Sequence, residues 1–399
     1  MGQALRELDP RSSAAAAFGA ELRDRRLRSR QSLRELGKTV LVSGDLLGKV
    51  EKAQRRPQLD LVQRLDEALG AQGDLLCLAA DFIDLRDDSQ LLELDSFTPD
   101  VADERLRSLI GQVRSADHTM AANRLDEVVG HIRVAQSFAP KVPVGQRALL
   151  LRTVAEAQQL AGWMMFDRGQ RKRAEDLFMN ARVSAERAGA LDLMAYVGGP
   201  NVAFMSTWSG EPARGAEQAY GALSWAYRSG NRRLVAFVAT MAARAHARMG
   251  EADLCRRMLS TAESELACHQ SEDSDPEWLT VFDAGALAGH RGSCLLDLGN
   301  PRQAIAALEE QEGAGPTSFV RNNIIWQLER ADANLRLGRI DDAVAGINQT
   351  LDYAQRGPIT PRVVRVFRSV DRKLRMTLPV DTGLDDTRER LHRLIAACG

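Results

Sequence analysis

The sequence has little of several residue types, and each shortage narrows the class of protein. Only 5% of the 399 residues are aromatic, and there are five cysteines and six histidines. No run approaches the roughly 20 apolar residues that a membrane span requires. The N-terminal segment lacks the basic and then apolar order of a secretory signal. We therefore expect a cytoplasmic protein.

The cysteines are odd in number and widely spaced, at Cys77, Cys255, Cys268, Cys294 and Cys398. This pattern predicts small buried hydrophobic residues in a reducing compartment. His290 and Cys294 lie one helical turn apart, but no second pair stands nearby to complete a metal site. We expect neither a metal nor a cofactor.

Catalytic motifs are also missing. No segment matches a glycine-rich phosphate loop, HExxH or Gly-x-Ser-x-Gly. The pairs Asp87-Asp88 and Asp385-Asp386 are typical of solvated charge rather than of general acid and base groups. We do not expect an enzyme, since a helical-repeat enzyme would need a catalytic cluster that the sequence does not show.

Charge is distributed unevenly along the chain, although the net charge is −1. Residues 1–70 contain 14 Lys/Arg and 10 Asp/Glu, a net +4, whereas the remainder contains 39 and 44, a net −5. A basic N-terminal segment on an acidic body suits contact with nucleic acid at one end only.

What the sequence does contain is a pattern of two short helices and a tight turn between Ser32 and Pro57. Gly37 and Val42 stand where two steeply crossing helices need a small residue and an apolar plug. Ser32 and Glu35 predict a capping box, and Ser43 predicts the cap of the second helix. Apolar residues recur at helical spacing, at Leu33, Leu36, Val40, Leu47 and Val50. A helix of about three turns held across a shorter one is the geometry that enters a DNA major groove.

Residues 16–82 resemble the xenobiotic-response-element (XRE) type, phage-repressor-like helix-turn-helix family, and within it an actinobacterial branch. The matching residues are Phe18-Gly19, Leu22-Arg23, Arg26, Ser32 to Gly37, Val42-Ser43, Leu47, Val50-Glu51, Arg55 to Pro57, Leu65 to Gly70 and Leu75-Leu76. The resemblance implies an all-α, five-helix, lambda-repressor-like domain that binds double-stranded operator DNA. The sequence departs from the family at Gln31, Gly44, Asp45 and Ala53, where Ala53 replaces the usual glycine.

This resemblance places the start of the second motif helix against base edges, at Ser43, Gly44, Asp45, Gly48 and Lys49. Lys49 can donate to guanine and Asp45 can accept from cytosine. Asp45 could equally serve only to stabilise the helix N-terminus. The two glycines are expected to permit close approach to the groove. The expected phosphate contacts, which set register, are Arg26, Ser32, Arg34, Lys52, Arg55 and Arg56.

We predict four segments: a flexible tail at 1–15, the helix-turn-helix domain at 16–83, an acidic linker at 84–100 and a helical-repeat domain at 101–399. In the last segment, glycines end apolar helices at separations of 41, 40, 49 and 39 residues, at Gly169, Gly210, Gly250, Gly299 and Gly338. Residues 331–354 and 295–310 resemble tetratricopeptide repeats. The period predicts a solenoid of helix pairs.

A curved stack of helix pairs has a concave groove lined by the first helices. Polar or aromatic residues expected there are Gln158, Asn201, Arg244, Asn322, Asn323 and Trp326. Asparagine offers a donor and an acceptor to a peptide backbone. The resemblance implies a signalling peptide, whereas the residues alone allow helix caps or packing.

The leading hypothesis is a transcriptional regulator that binds operator DNA as a homodimer. Its repeat domain would dimerise and sense a peptide, a small molecule or a protein partner. The alternative hypothesis is a scaffold or adaptor whose helix-turn-helix module is degenerate. The departures from the family at Gly44, Asp45 and Ala53 are consistent with this alternative.

Overall fold

The computed structural model describes residues 13–57, 59–71, 74–79, 98–118, 124–270, 275–313, 320–354, 359–377 and 385–397. In these ranges every regular element is a helix, as the sequence predicts. The chain divides into two compact units, Met1–Thr98 and Pro99–Gly399. Within the described ranges, no helix combines the length and the apolar character that crossing a membrane requires.

The N-terminal unit contains five helices around one small core. They are α1 (Ala14–Arg28), α2 (Leu33–Thr39), α3 (Gly44–Glu51), α4 (Leu59–Ala68) and α5 (Asp74–Ala79). Side chains from all five are fully buried together, among them Phe18, Leu36, Leu47, Leu65 and Leu75. Most of the predicted tail and linker lies outside the described residues. The predicted linker runs to residue 100, whereas the next helix already begins at Pro99.

Local hydrogen bonds fix where α2 and α3 begin, and they confirm the predicted caps. The Ser32 hydroxyl accepts from the Glu35 N–H at 3.2 Å, and the Ser32 N–H donates to Glu35 Oε2 at 2.7 Å. The Ser43 hydroxyl accepts from the Leu46 N–H at 3.2 Å. A Cβ on Gly37 would lie 2.6 Å from the Val42 carbonyl oxygen, so a larger residue cannot stand where α2 turns into α3.

The C-terminal unit is a stack of helix pairs, in which the two helices of each pair pack against one another. They are α6 (Pro99–His118), α7 (Leu125–Phe138), α8 (Val144–Asp167), α9 (Arg171–Arg187), α10 (Leu191–Tyr196), α11 (Phe204–Trp208), α12 (Pro212–Ser229), α13 (Arg232–Met249), α14 (Ala252–Ala267), α15 (Ala284–Asp297), α16 (Pro301–Gly313), α17 (Val320–Arg336), α18 (Ile340–Ala354), α19 (Pro361–Thr377) and α20 (Asp385–Ala397). This is the tetratricopeptide-like solenoid that the period predicts.

Glycine makes the reversal between paired helices possible. All five predicted glycines have φ between +71° and +92°, the left-handed region in which a side chain is strained. Pro212 and Pro301 begin the second helices of their pairs, where a missing N–H costs little.

One element has no counterpart in the sequence analysis. Between α10 and α11 the chain continues as a π-helix, Val197–Ala203, with Pro200 inside it. Proline removes an N–H and displaces the preceding turn, and π-helical turns recur at functional positions. This wide turn presents Asn201 to the cavity described below.

The cysteine prediction is partly correct. Cys255 and Cys294 are buried thiols, whereas Cys268 is exposed because it follows the last residue of α14. Cys398 lies outside the described residues, as does the side chain of Cys77.

Ala53, which stands where the resembling family has glycine, has a φ of +55°. A non-glycine residue in the left-handed region is strained by about 1–2 kcal/mol, and glycine at the same position avoids this strain. Glycine is also more flexible in the unfolded chain, and this entropy cancels about half of the gain. We expect Ala53→Gly to stabilise the N-terminal unit by about 0.5–1 kcal/mol, measured by hydrogen exchange of full-length protein. The matched control is Ala20→Gly, in the middle of α1, which should destabilise by a similar amount. Equal losses from both substitutions would contradict strain at Ala53.

Candidate functional site

The outer face of α3 presents the predicted base-reading residues. Ser43, Asp45 and Lys49 are exposed, on a helix whose opposite side buries Leu47 and Val50. Lys49 Nζ lies 2.8 Å from Asp45 Oδ2, one helical turn away. The hydrogen bond from Lys49, followed by its charge, lowers the pKa of Asp45. Exposed pairs of this kind are weak, so Lys49 can leave Asp45 for a base edge.

Gly44 and Gly48 both lie beside Leu33 of α2. A Cβ on Gly44 would lie 3.1 Å from the Leu33 carbonyl oxygen, and one on Gly48 would lie 3.4 Å from Leu33 Cδ1. Gly44 therefore lets α3 approach the backbone of α2 closely, whereas a side chain on Gly48 would make only ordinary contact. The predicted role of both glycines in approach to a groove stays a prediction.

The predicted phosphate contacts separate into two groups. Five are exposed near α3 and α2: Ser32, Arg34, Lys52, Arg55 and Arg56. Lys52, Arg55 and Arg56 follow the C-terminal end of α3 directly, and Arg34 lies in the first turn of α2. Their cations flank the exposed face of α3.

The predicted phosphate contact of Arg26 is wrong, because its guanidinium is buried and makes hydrogen bonds within the protein. Its Nε lies 2.6 Å from Glu51 Oε1, its Nη2 3.0 Å from Glu51 Oε2, and its Nη1 donates to the Gln31 carbonyl at 2.9 Å. The hydrogen bond with Glu51 raises the pKa of Arg26. This bidentate pair ties α1 to the last residue of α3 and leaves Arg26 no reach to a phosphate.

Most of the predicted groove residues in the C-terminal unit are also engaged in packing. Gln158 accepts from the buried Ser184 hydroxyl at 2.8 Å, and Asn323 accepts from Gln311 at 3.2 Å. Arg244 is buried in α13. Trp326 meets the His290 ring edge-on, with 5.5 Å between ring centroids. Gln158, Asn323 and Trp326 are therefore corrected from ligand contacts to packing residues. The predicted role of Arg244, whose Nε has no hydrogen-bond partner among the described residues, stays a prediction.

Asn201 and Asn322 alone among the six predicted groove residues line a cavity of about 90 Å³ on the face formed by the first helices of the pairs. We call it the central cavity. Its remaining lining residues are Arg114, Gln159, Leu160, Trp163, Tyr196, Pro200, Phe204, Phe237, Met241, Val281, His290, Arg321 and Arg362. Sequence reasoning missed these residues because they come from eight separated segments without a shared motif.

An ion-pair cluster joins distant helices beside the central cavity. Asp167, at the end of α8, lies 2.8 Å from Arg321 Nε of α17 and 2.8 Å from Arg362 Nε of α19. The Arg362 guanidinium also lies 4.9 Å from the Trp163 ring centroid and 5.6 Å from that of Phe204. All three charged residues are buried.

His290 enters the same cavity from α15 as a neutral ring. Burial lowers its pKa to about 3, with further lowering by the positive charges of Arg244 and Arg362. Nowhere in the described ranges do three His, Cys, Asp or Glu side chains come together as metal ligands.

A larger cavity of about 350 Å³ lies between α9, the π-helix and α12. Its charged lining residues carry both signs, Glu175 and Asp176 against Arg182 and Arg214. Gln218 lies between Ser206 and Arg214 and can satisfy both. This cavity therefore shows no excess of one charge.

Comparison with known proteins supports the N-terminal assignment. Residues 17–77 match the family of helix-turn-helix domains. No curated protein matches the chain. A crystal structure of Bacillus thuringiensis PlcR in complex with the peptide PapR7 and DNA is similar at 12% identity, over 74% of this chain and 96% of that one. Its TM-score of 0.28 is too low to support an argument about fold or function.

The Arg26–Glu51 pair yields a test of its structural role. Removing one member of a buried pair leaves an uncompensated charge, so Arg26→Met should destabilise the N-terminal unit by about 3 kcal/mol. The double variant Arg26→Met, Glu51→Leu should recover most of this loss. Hydrogen exchange across residues 13–57 in full-length protein measures both. An unchanged stability together with a weaker salt dependence of DNA binding would instead return Arg26 to the phosphate contacts.

Proposed function

We propose that this chain is a transcription regulator of the XRE type, of the actinobacterial branch, that binds double-stranded operator DNA as a homodimer. The observation that carries the proposal is the exposed face of α3, flanked by cations and held on a buried core. The match of residues 17–77 to helix-turn-helix domains supports it.

Within the proposed interface, α3 lies in the major groove. Lys49 and Asp45 contact base edges once their mutual ion pair opens, and Ser43 lies at the start of the same face. Arg34, Lys52, Arg55 and Arg56 contact phosphates together with Ser32, which fixes the register of α3 on the duplex. Gly44 supports this arrangement through its packing against α2, and both Gly44 and Gly48 permit close approach of α3 to the groove.

Dimerisation follows from the small size of one helix-turn-helix surface. A single short α3 reads few base pairs, and two copies on neighbouring half-sites are the common solution. The helical stack would supply the dimer contacts and would receive a signal from a peptide, a small molecule or a protein partner. Such a signal alters DNA binding only if it binds one dimer arrangement more tightly than the other.

Lys49 and Arg55 separate sequence recognition from general DNA affinity. Lys49→Ala should cost about 1–3 kcal/mol at the operator and relax the preference for it. Arg55→Ala should weaken all duplexes alike and reduce the slope of log affinity against log salt by about 1. Gel-shift titrations of operator and scrambled DNA at several salt concentrations measure both effects.

Arg256→Ala serves as the matched control, since Arg256 is an exposed arginine of the helical stack. It should leave every titration unchanged. Operator binding that survives both Lys49→Ala and Arg55→Ala would refute the interface. No DNA binding even at low salt, with a stable protein partner in pulldown, would favour a scaffold instead.

The dimer proposal has its own measurement. Sedimentation equilibrium should give about twice the chain mass of 43.8 kDa, and footprints should show two half-sites spaced by whole helical turns. A monomer that protects a single half-site with full affinity would contradict the proposed homodimer.

A further inference from the structure

The central cavity contains buried polar atoms that lack partners. Gln159 and Asn201 are 3% and 2% exposed, and their side-chain oxygens have no hydrogen-bond partner among the described residues. His290 Nδ1, in the same cavity, also has no hydrogen-bond partner among the described residues. The three groups come from α8, the π-helix and α15 and meet in one cavity. Unsatisfied buried polar atoms are rare in proteins, so their convergence indicates a missing hydrogen-bonding group.

Arginine supplies all the charge in the cavity lining. The lining includes Arg114, Arg321 and Arg362, and none of the lining residues, which all lie in the described ranges, is Asp or Glu. Two carboxylates outside the lining pair with these arginines: Glu156 lies 2.7 Å from Arg114, and Asp167 contacts both Arg321 and Arg362. Two carboxylates beside three arginines leave an excess of positive charge, which attracts the opposite charge into a site with apolar walls. This excess favours an anionic occupant.

Size limits the occupant further. About 90 Å³ corresponds to the volume of about three water molecules, enough for a carboxylate, its neighbouring carbon and one donor group. Four aromatic rings stand beside this space, from Trp163, Tyr196, Phe204 and Phe237.

We propose that the central cavity binds a compact organic acid that carries a hydroxyl or amide N–H next to its carboxylate. The carboxylate contacts the arginines, the donor satisfies Gln159 or Asn201, and the carbon atoms of the acid lie against the aromatic rings. This assignment specifies the ligand of the proposed sensing role, and any effect of the ligand on DNA binding rests on the proposed function. Ligand binding is measured on full-length protein without DNA. Failure of the ligand proposal is therefore distinguished from failure of the DNA-binding proposal.

The probes form matched sets around glycolate and lactate. Acetate and propionate lack the hydroxyl donor, and glycolamide and lactamide lack the charge. Calorimetry should show binding of at least one hydroxy acid at about 1 mM or below. Loss of the donor should weaken affinity about tenfold, and loss of the charge about a hundredfold.

Variants test whether the binding occurs in this cavity. Gln159→Leu and Asn201→Leu remove oxygens that make no internal hydrogen bond, so the melting temperature should change little and affinity should fall about tenfold. Asn323→Leu, which loses a hydrogen bond outside the cavity, is the control and should leave affinity unchanged.

Three results would overturn the proposal. The first is no binding of glycolate, lactate or oxamate, which carries an amide N–H next to its carboxylate, at about 1 mM to protein with a normal melting temperature. The second is equal binding of acids and their amides. The third is tight binding of the peptide Ala-Ala-Ala-Phe together with no binding of any compact acid. This result would assign the cavity to a peptide instead.

Discussion

An amphipathic helix cannot bury its apolar face by itself, and this constraint shapes both units of the chain. Each helix needs a neighbour at close range, so the crossings fall at small residues. Gly37 leaves no room for a Cβ beside the Val42 carbonyl, and a Cβ on Gly289 would lie 2.4 Å from the Trp326 ring. Close crossings bring the helices near enough for the core side chains to interlock. The positions of all functional side chains follow from these crossings.

Buried charge pairs add directional ties to this packing. Arg26 and Glu51 join α1 to the end of α3, and Asp167 joins α8 to α17 and α19 through Arg321 and Arg362. The attraction within such a pair offsets the desolvation cost of burying its charges only when the geometry is good. Removing one member of the pair strongly destabilises the fold. They therefore favour one helix arrangement over others. In the N-terminal unit the arrangement so favoured is the one that leaves the outer face of α3 exposed.

The two units thus present different kinds of surface. The first has an exposed helix face with cations at its edges, suited to a large polyanion in solvent. The second encloses its cations with aromatic rings and neutral polar atoms, suited to a small molecule removed from water. A ligand carboxylate beside Arg321 and Arg362 would meet the same guanidiniums that hold Asp167. Under the proposal, a bound ligand would therefore compete with Asp167 for these two arginines.

The sequence by itself determined the all-helical class, the helix pairs and the helix-turn-helix module, because periodicity, caps and turn glycines act over a few residues. It also located Ser43, Asp45 and Lys49 on one helix face. Only the tertiary structure decided that Arg26 is internal, that Gly44 packs against the backbone of α2, and that Gln159, Asn201 and His290 converge. These outcomes depend on contacts between residues far apart in the chain. The spacing of residues within one segment does not indicate which distant side chains will contact that segment.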